Sequence, residues 1–173
     1  MKPAVYIVCG QVGSGKTTTA GILSKLINVP VASVDQTIKK LFSKPSFVGK
    51  DQPPSPFELD TCYNAFALIA DYLLSLKQSI IIDGAFAKKS QRDLLISVAR
   101  KHNAVFEVFL ITCPDEILKE RAEKRFNDGT GVGYQAHLKI KESYEPLDIE
   151  HLVIDTSKDV EKQLKQIIKI KNS

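Results

Sequence analysis

Residues 10–17, with the sequence Gly-Gln-Val-Gly-Ser-Gly-Lys-Thr, have the spacing of a loop that binds the phosphates of a nucleotide. The glycines allow successive N–H groups to turn towards anionic oxygens, and the following helix adds its positive end. Lys16 can reach the β- and γ-phosphates, and the Thr17 hydroxyl can ligate Mg²⁺. A Gly-rich turn with an accidental lysine is the alternative. The predicted nucleotide contacts here are Gly10, Gly13, Ser14, Gly15, Lys16, Thr17 and Thr18.

Asp35 ends the segment Ala-Ser-Val-Asp, which follows the second apolar run of the chain. Ligands of doubly wound sheets bind beyond the carboxyl ends of the strands, so this carboxylate is expected to face the same crevice as the loop. There it could accept the proton of an attacking hydroxyl and direct it at the γ-phosphorus. In a second interpretation, Asp35 only caps a helix over residues 36–42.

A second carboxylate, Asp83, ends the apolar run Ile-Ile-Ile and is followed by Gly84. An aspartate at the end of a neighbouring strand can help to hold Mg²⁺, often through water. We therefore expect Thr17 and Asp83 to form a metal site. Asp-Gly after a strand is also an ordinary turn, and that interpretation stays open.

Arg121 and Arg125 are four residues apart, which places them on one face of a helix. They lead into a Gly-rich stretch over residues 127–133. Two guanidinium groups beside a mobile segment are typical of a lid, here about residues 121–137, that closes over ATP and neutralises transition-state charge. The alternative is a solvated helix face with i, i+4 ion pairs.

Elements of a parallel sheet are expected to position these residues. Short runs rich in Val and Ile are nearly continuous, as in strands covered by helices on both faces. Helical patterns separate the runs, which predicts a doubly wound α/β fold in a single domain, residues 1–173. The predicted strands are residues 4–9, 29–34, 79–83, 105–112 and 151–154, and four of the predicted helices are residues 88–101, 114–127, 134–144 and 158–169.

A long helix is predicted to begin after Ser55, because Pro56 and Glu58 complete a capping pattern. The preceding residues, 44–56, contain four prolines and are expected to form an irregular surface loop. The apolar residues behind the cap recur at helical spacing and predict one buried stripe: Cys62, Phe66, Ile69, Leu73 and Leu76.

Composition excludes few functions. The chain is 43% hydrophobic and 25% charged, with a net charge of +4 and three cysteines. The basic residues form no block that indicates a polynucleotide-binding surface, and the N-terminal apolar run is too short to span a bilayer. Cysteines without metal-ligand spacing favour free thiols in a reducing compartment. We expect a cytoplasmic protein without membrane contact, either a monomer or a dimer.

Together, these segments resemble the small P-loop kinases that include polynucleotide 5′-hydroxyl kinases, zeta-toxin-like kinases and chloramphenicol phosphotransferase. The resemblance implies a three-layer P-loop NTPase fold with a five-stranded parallel sheet in the order 2-3-1-4-5 and a helical lid. It also implies transfer of the γ-phosphate of ATP, with Mg²⁺, to a hydroxyl. The landmarks are the loop at residues 10–17, the Asp35 segment, "IIIDGAF", Arg92, "TCPDEILKERAEKRF" and "VIDTS".

The resemblance also implies roles for single residues. Asp35 would be the general base or a substrate-orienting carboxylate, and Thr156 would lie near the base of the nucleotide. One of the lid arginines would lie near the adenine or the phosphates. Many family members carry an arginine three residues after this aspartate, where the present chain has Ile38 followed by Lys39. A polynucleotide acceptor is therefore possible but not favoured. The implied catalytic residues are Lys16, Asp35, Arg121 and Arg125.

The hydroxyl acceptor stays unidentified. Asp35, Lys39 and Arg92 are the expected substrate contacts, although Arg92 could equally be an exposed helix charge. A phosphorylated acceptor would need a pocket with several cations, from Lys39, Lys40, Lys88 or Arg92, whereas a neutral acceptor would need fewer. An alternative of another class is a nucleotide-controlled binding protein or an ATPase with little transfer activity, which would not require a base at Asp35.

Overall fold

The computed structural model describes residues 2–171, in which five strands form one parallel sheet. The strands are β1 (Ala4–Gly10), β2 (Val31–Ser33), β3 (Ile80–Asp83), β4 (Val105–Thr112) and β5 (Leu152–Asp155). Their order in the sheet is β2-β3-β1-β4-β5, as predicted. The phosphate-binding loop follows the central strand, which pairs with β3 on one side and β4 on the other.

Helices connect these strands, and each predicted helix is present with ends within two residues of the prediction. None of the helices in residues 2–171 combines the length and apolar character needed to cross a bilayer. The helices are α1 (Lys16–Ile27), α2 (Val34–Leu41), α3 (Pro56–Ser75), α4 (Lys89–Lys101), α5 (Asp115–Asn127), α6 (Tyr134–Glu142) and α7 (Val160–Lys171).

The central strands are apolar on both faces because a separate core lies against each face. Ile7 and Cys9 of β1 pack in the core that includes α3 and α4. Val8, which points to the opposite face, packs in the core that includes α1 and α7. The almost continuous apolar runs in the sequence therefore arise because both faces of the sheet are buried.

Two details differ from the prediction. Strand β2 ends at Ser33, because Val34 already begins α2 and is buried there. On α3, Cys62 and Phe66 are buried as predicted, but Ile69 is 44% exposed and Leu76 is 51% exposed. Because apolar side chains lie on most sides of this helix, their spacing alone did not predict which side is buried. The side chains that complete the buried face are Glu58, Tyr63, Ala67, Ala70 and Leu74.

Candidate active site

The phosphate-binding loop needs glycine at two tightly packed positions. A β-carbon at Gly10 would lie 2.3 Å from the carbonyl oxygen of Ile111 on β4, and one at Gly13 would lie 2.7 Å from that of Leu118 on α5. Both glycines also have positive φ angles, +142° and +84°. The loop is therefore clamped between the central sheet and the helix that carries the two predicted lid arginines.

Lys16 is the first residue of α1 and is half-buried beside this loop. Its Nζ donates a hydrogen bond to the carbonyl oxygen of Gln11 at 2.8 Å, across the loop. Burial lowers the pKa of Lys16, while the nearby carboxylates of Asp83 and Asp35 raise it. The ammonium group therefore lies among the residues that the sequence assigned to phosphate transfer.

Thr17 and Asp83 meet as predicted. The Thr17 hydroxyl donates to Oδ2 of Asp83 at 2.7 Å, and Asp83 is buried. Burial raises the pKa of this carboxyl group, and Lys16 and the Thr17 hydrogen bond oppose that effect. The other oxygen, Oδ1, is buried without a hydrogen-bond partner among the residues that the structure describes.

This pair fits Mg²⁺ bound together with a nucleotide. Mg²⁺ prefers oxygen ligands, and it is usually held by one or two carboxylates together with substrate phosphates and water. A hydroxyl and an unpartnered carboxylate oxygen match that donor set. Residues 2–171 contain no group of three or more His, Cys, Asp or Glu side chains that could hold a metal by themselves.

Asp35 lies in the first turn of α2 and is exposed to the cleft beside the loop. The cap position of this helix belongs to Ser33, which corrects the alternative that Asp35 caps a helix starting at residue 36. We call this opening the phosphate cleft. Its lining comprises Val12, Gly13, Gly15, Lys16, Thr17, Thr18, Ser33, Asp35, Asp83, Gly84 and Arg125.

The two lid arginines have different surroundings although both belong to α5. Arg125 lines the phosphate cleft, and its buried Nε has no hydrogen-bond partner within residues 2–171. Arg121 donates from Nη1 to the hydroxyl of Thr156 at 2.9 Å. That hydroxyl in turn donates to the carbonyl oxygen of Ser14 at 2.8 Å, so Thr156 joins Arg121 to the phosphate-binding loop.

A second cavity, of about 260 Å³, adjoins the phosphate cleft. Lys16 and Asp35 line both spaces, and Val12 does so as well. The Pro-rich loop, residues 44–56, contributes Phe47, Pro53 and Pro54 to the lining of this second cavity, and the lid contributes Val132. Its apolar lining comprises Val34, Phe47, Pro53, Pro54, Pro56, Leu59, Tyr63, Ala85, Ala87, Val132 and Ile140.

Arg92 and Lys39 line neither of these spaces. Arg92 is 1% exposed, so it is not a surface helix charge, and it donates to the carbonyl oxygens of Phe86 at 2.8 Å and Pro146 at 2.7 Å. Lys39 donates to the carbonyl oxygen of Thr130 at 3.1 Å. The structure gives Arg92 a positioning contact with the turn after β3, and it gives Lys39 a contact with the lid.

Sequence reasoning missed how firmly Glu58 holds the Pro-rich loop. Its carboxylate accepts hydrogen bonds from the backbone N–H and the hydroxyl of both Ser46 and Ser55. Burial alone would raise the pKa of Glu58, but these hydrogen bonds lower it to about 2. The capping pattern predicted the bonds with Ser55, and nothing in the sequence signalled those with Ser46.

Asp51 was also missed. It accepts hydrogen bonds from the backbone N–H groups of Gln135 at 3.0 Å and Ala136 at 2.9 Å, at the start of α6. A β-carbon at Gly133 would lie 2.5 Å from this carboxylate, so glycine makes the close approach possible. The contact joins the Pro-rich loop to the lid over a long sequence separation, which no local pattern could reveal.

A protein-family model described as an AAA domain (AAA_33) matches residues 5–147, which include the phosphate-binding loop, Asp35, Asp83 and the lid arginines. The chain belongs to this AAA domain family. A search of curated proteins by sequence returned no match.

Solved structures share the architecture of this AAA domain. A protein of Chloroflexus aurantiacus J-10-fl, described as a candidate kinase, is 18% identical, with 98% of each chain covered and a TM-score of 0.78. The Mycobacterium tuberculosis APS kinase CysC in complex with AMPPNP and APS is 16% identical, covering 99% of this chain and 98% of that one, with a TM-score of 0.72. Chaetomium thermophilum Kti12 in complex with ADP-AlF3 is 18% identical, with 98% of each chain covered and a TM-score of 0.72. At these identities the likeness establishes the fold.

Proposed function

We propose that the protein transfers the γ-phosphate of Mg·ATP to a hydroxyl group of a small-molecule acceptor. The observation that carries this proposal is that Lys16 and Asp35 line both the phosphate cleft and the second cavity. A phosphoryl group held by Lys16 and an acceptor held in the second cavity would therefore meet beside the Asp35 carboxylate. Such juxtaposition is the main requirement of phosphoryl transfer.

Each residue of the cleft has a distinct part in this proposal. Asp35 accepts the proton of the acceptor hydroxyl and orients its oxygen towards the γ-phosphorus. Lys16 and Arg125 stabilise negative charge on the phosphate oxygens during transfer. Thr17 and Asp83 would hold Mg²⁺, whose chemistry when bound is to neutralise charge on the β- and γ-phosphates.

Arg121 and Thr156 belong to the nucleoside end of the proposed site. Their hydrogen bond and the bond from Thr156 to Ser14 put a guanidinium group and a hydroxyl beside the phosphate-binding loop, and neither residue lines the phosphate cleft. We infer that they bind the base or the ribose of ATP. Nucleotides in the complexes of the APS kinase and Kti12, which share this fold, support a nucleotide site here.

The shape of the second cavity argues against a polynucleotide acceptor. Its volume of about 260 Å³ suits one small molecule, and residues of both the Pro-rich loop and the lid line it. The contact between Asp51 and the start of α6 joins these two segments to each other. A kinase of small molecules therefore fits better than a kinase acting on nucleic-acid ends.

Transfer of labelled γ-phosphate from Mg·ATP to a panel of hydroxyl compounds tests this proposal. The panel spans nucleosides, nucleotides, 5′-hydroxyl oligonucleotides, sugars and hydroxylated antibiotics. We expect label on one class, lost in Lys16→Ala and kept in Lys25→Ala, because Lys25 is an exposed residue of the same helix. Equal transfer by both variants, or ATP binding without transfer to any class, would contradict a phosphotransferase.

A further inference from the structure

The walls of the second cavity are mostly apolar, and this limits which acceptors it can bind. Phe47 and Pro54 come from the Pro-rich loop, Leu59 and Tyr63 from α3, and Val132 from the lid. Phe47 and Tyr63 are 4% and 2% exposed, so their side chains are held in place by the core. Binding in such a space is favoured for groups that lose little hydration when they leave water.

Two lysines besides Lys16 line the second cavity, Lys88 and Lys139, and both are exposed to solvent. Lys88 pairs with Glu145 at 3.4 Å, and both side chains are close to half exposed. Lys139 lines the rim and is exposed to solvent. Lys39 and Arg92, which a phosphorylated acceptor would use, donate to backbone carbonyl oxygens and lie outside the lining. Apart from Lys16, which the γ-phosphate would engage, an anionic acceptor would therefore lose hydration without gaining a buried cationic partner.

Besides Lys16 and Asp35 at its junction with the phosphate cleft and the exposed Lys88 and Lys139, this cavity is lined by two neutral polar side chains. They are the side chains of Gln91 and Ser143. Oε1 of Gln91 accepts from the backbone N–H of Lys88 at 3.2 Å, a bond that does not use the N–H donors of the same amide. A hydroxyl, ether or carbonyl oxygen on the acceptor could accept from this amide.

From this lining we propose that the acceptor is a neutral small molecule with an apolar body. Its body occupies the space between the Pro-rich loop, α3 and the lid, and its reacting hydroxyl lies at Asp35. This inference rests on the proposed phosphotransfer and names its substrate class. In the step, the hydroxyl oxygen forms a bond to the γ-phosphorus, the bond from that phosphorus to the β,γ-bridging oxygen breaks, Asp35 takes the hydroxyl proton, and ADP leaves.

The test compares matched pairs of alcohols that differ by a charged group, for example 2-phenylethanol and 4-(2-hydroxyethyl)benzoate. A further set pairs larger aromatic and aliphatic alcohols with derivatives that carry a carboxylate or a phosphate. Binding is measured by calorimetry in the presence of Mg·AMPPNP, and transfer is measured with labelled Mg·ATP. We expect the best neutral member to bind at least ten times more tightly than its anionic counterpart. An anionic member that binds more tightly, or the failure of every neutral member to bind, would overturn the inference.

Two variants of Leu59 connect the result to this cavity. Leu59→Lys places a cation in the lining and is expected to weaken neutral binding at least tenfold and to reduce or invert the preference over the anionic partner. Leu59→Gln is expected to weaken neutral binding less and to create no anionic preference. Leu68→Lys is the matched control, because Leu68 lies on the same helix, is 72% exposed and does not line the cavity.

The two readouts separate this inference from the function on which it rests. If neutral alcohols bind and Leu59→Lys weakens that binding, but no label is transferred, the result would support the ligand class and contradict the phosphotransferase. Transfer to anionic members alone would support the phosphotransferase and overturn the acceptor class. Neutral binding that is equal in Leu59→Lys, Leu68→Lys and the unmodified protein would also overturn it, because the alcohol would then bind elsewhere.

Discussion

Replacing Gly13 with alanine tests whether packing against α5 shapes the phosphate-binding loop. The new β-carbon would lie 2.7 Å from the carbonyl oxygen of Leu118, at a position where φ is +84°. The left-handed backbone alone costs about 1–2 kcal/mol, and the contact forces either the loop or α5 to move. Because Arg121 and Arg125 follow Leu118 on that helix, such a movement also displaces both guanidinium groups. We expect the free energy of unfolding to fall by more than about 2 kcal/mol and ATP affinity to fall at least about tenfold.

Two other glycines provide controls for this experiment. Gly129 has a φ of +67° but no atom within 4 Å of its would-be β-carbon, so Gly129→Ala measures the backbone strain without the contact. Gly21 lies within α1, and its would-be β-carbon also meets open space. Gly21→Ala is therefore expected to raise the free energy of unfolding, by about 0.5–1 kcal/mol.

Urea unfolding followed by circular dichroism gives the free energies, and calorimetry with Mg·AMPPNP gives the affinities. If packing against α5 shapes the loop, Gly13→Ala loses more stability than Gly129→Ala, and it alone of the three variants binds the nucleotide more weakly. Equal losses of stability in Gly13→Ala and Gly129→Ala, together with unchanged nucleotide affinity, would refute the packing argument.

Three further predictions concern Glu58 and Thr156. Glu58→Gln should lower the free energy of unfolding by about 2–3 kcal/mol in urea titrations, because a charged acceptor of hydrogen bonds is lost. An unchanged free energy of unfolding would contradict the view that Glu58 holds the Pro-rich loop in place. Despite burial, hydrogen bonds lower the pKa of Glu58 from 4.5 to about 2, so the stability that this carboxylate adds is present above pH 4.5 and is lost as the pH falls towards 2. In Glu58→Gln, acid titration of the free energy of unfolding should lack this loss. An acid transition identical to that of the unmodified protein would contradict the role of the Glu58 carboxylate. Thr156→Val removes the hydrogen bonds with Arg121 and Ser14. It should weaken ATP binding, measured by calorimetry, about tenfold, with little change in the KM for the acceptor. A larger effect on the acceptor KM than on ATP binding would contradict the assignment of Thr156 to the nucleoside end of the site.

Much of the fold could be predicted because its signals are local. The apolar runs that became β1, β3 and β4 reflect burial on both faces, and the capping pattern at Ser55 fixes the start of α3. The phosphate-binding loop and the ends of neighbouring strands necessarily meet at one edge of a parallel sheet. That is why Lys16, Thr17 and Asp83 could be placed together from the sequence.

The remaining features depend on contacts between distant segments. Nothing local distinguishes the buried Arg92, whose partners include Pro146, from an exposed arginine on an amphipathic helix. The contact of Asp51 with α6 crosses more than eighty positions of the chain. The inward face of α3 was only partly predicted, since Leu68 and Ile69 on its exposed side are as apolar as Cys62 and Phe66 on its buried side.

The most direct test of the central claim compares Asp35→Asn with the unmodified protein in single-turnover transfer of labelled phosphate from Mg·ATP to the best acceptor. Asp60→Asn is the matched control, because Asp60 is exposed on α3 and lines neither the phosphate cleft nor the second cavity. We predict that Asp35→Asn transfers phosphate about 10²–10⁴-fold more slowly, with unchanged ATP affinity, because the acceptor hydroxyl has lost its base. Transfer by Asp35→Asn at the rate of Asp60→Asn would contradict the claim that Asp35 joins the nucleotide to its acceptor.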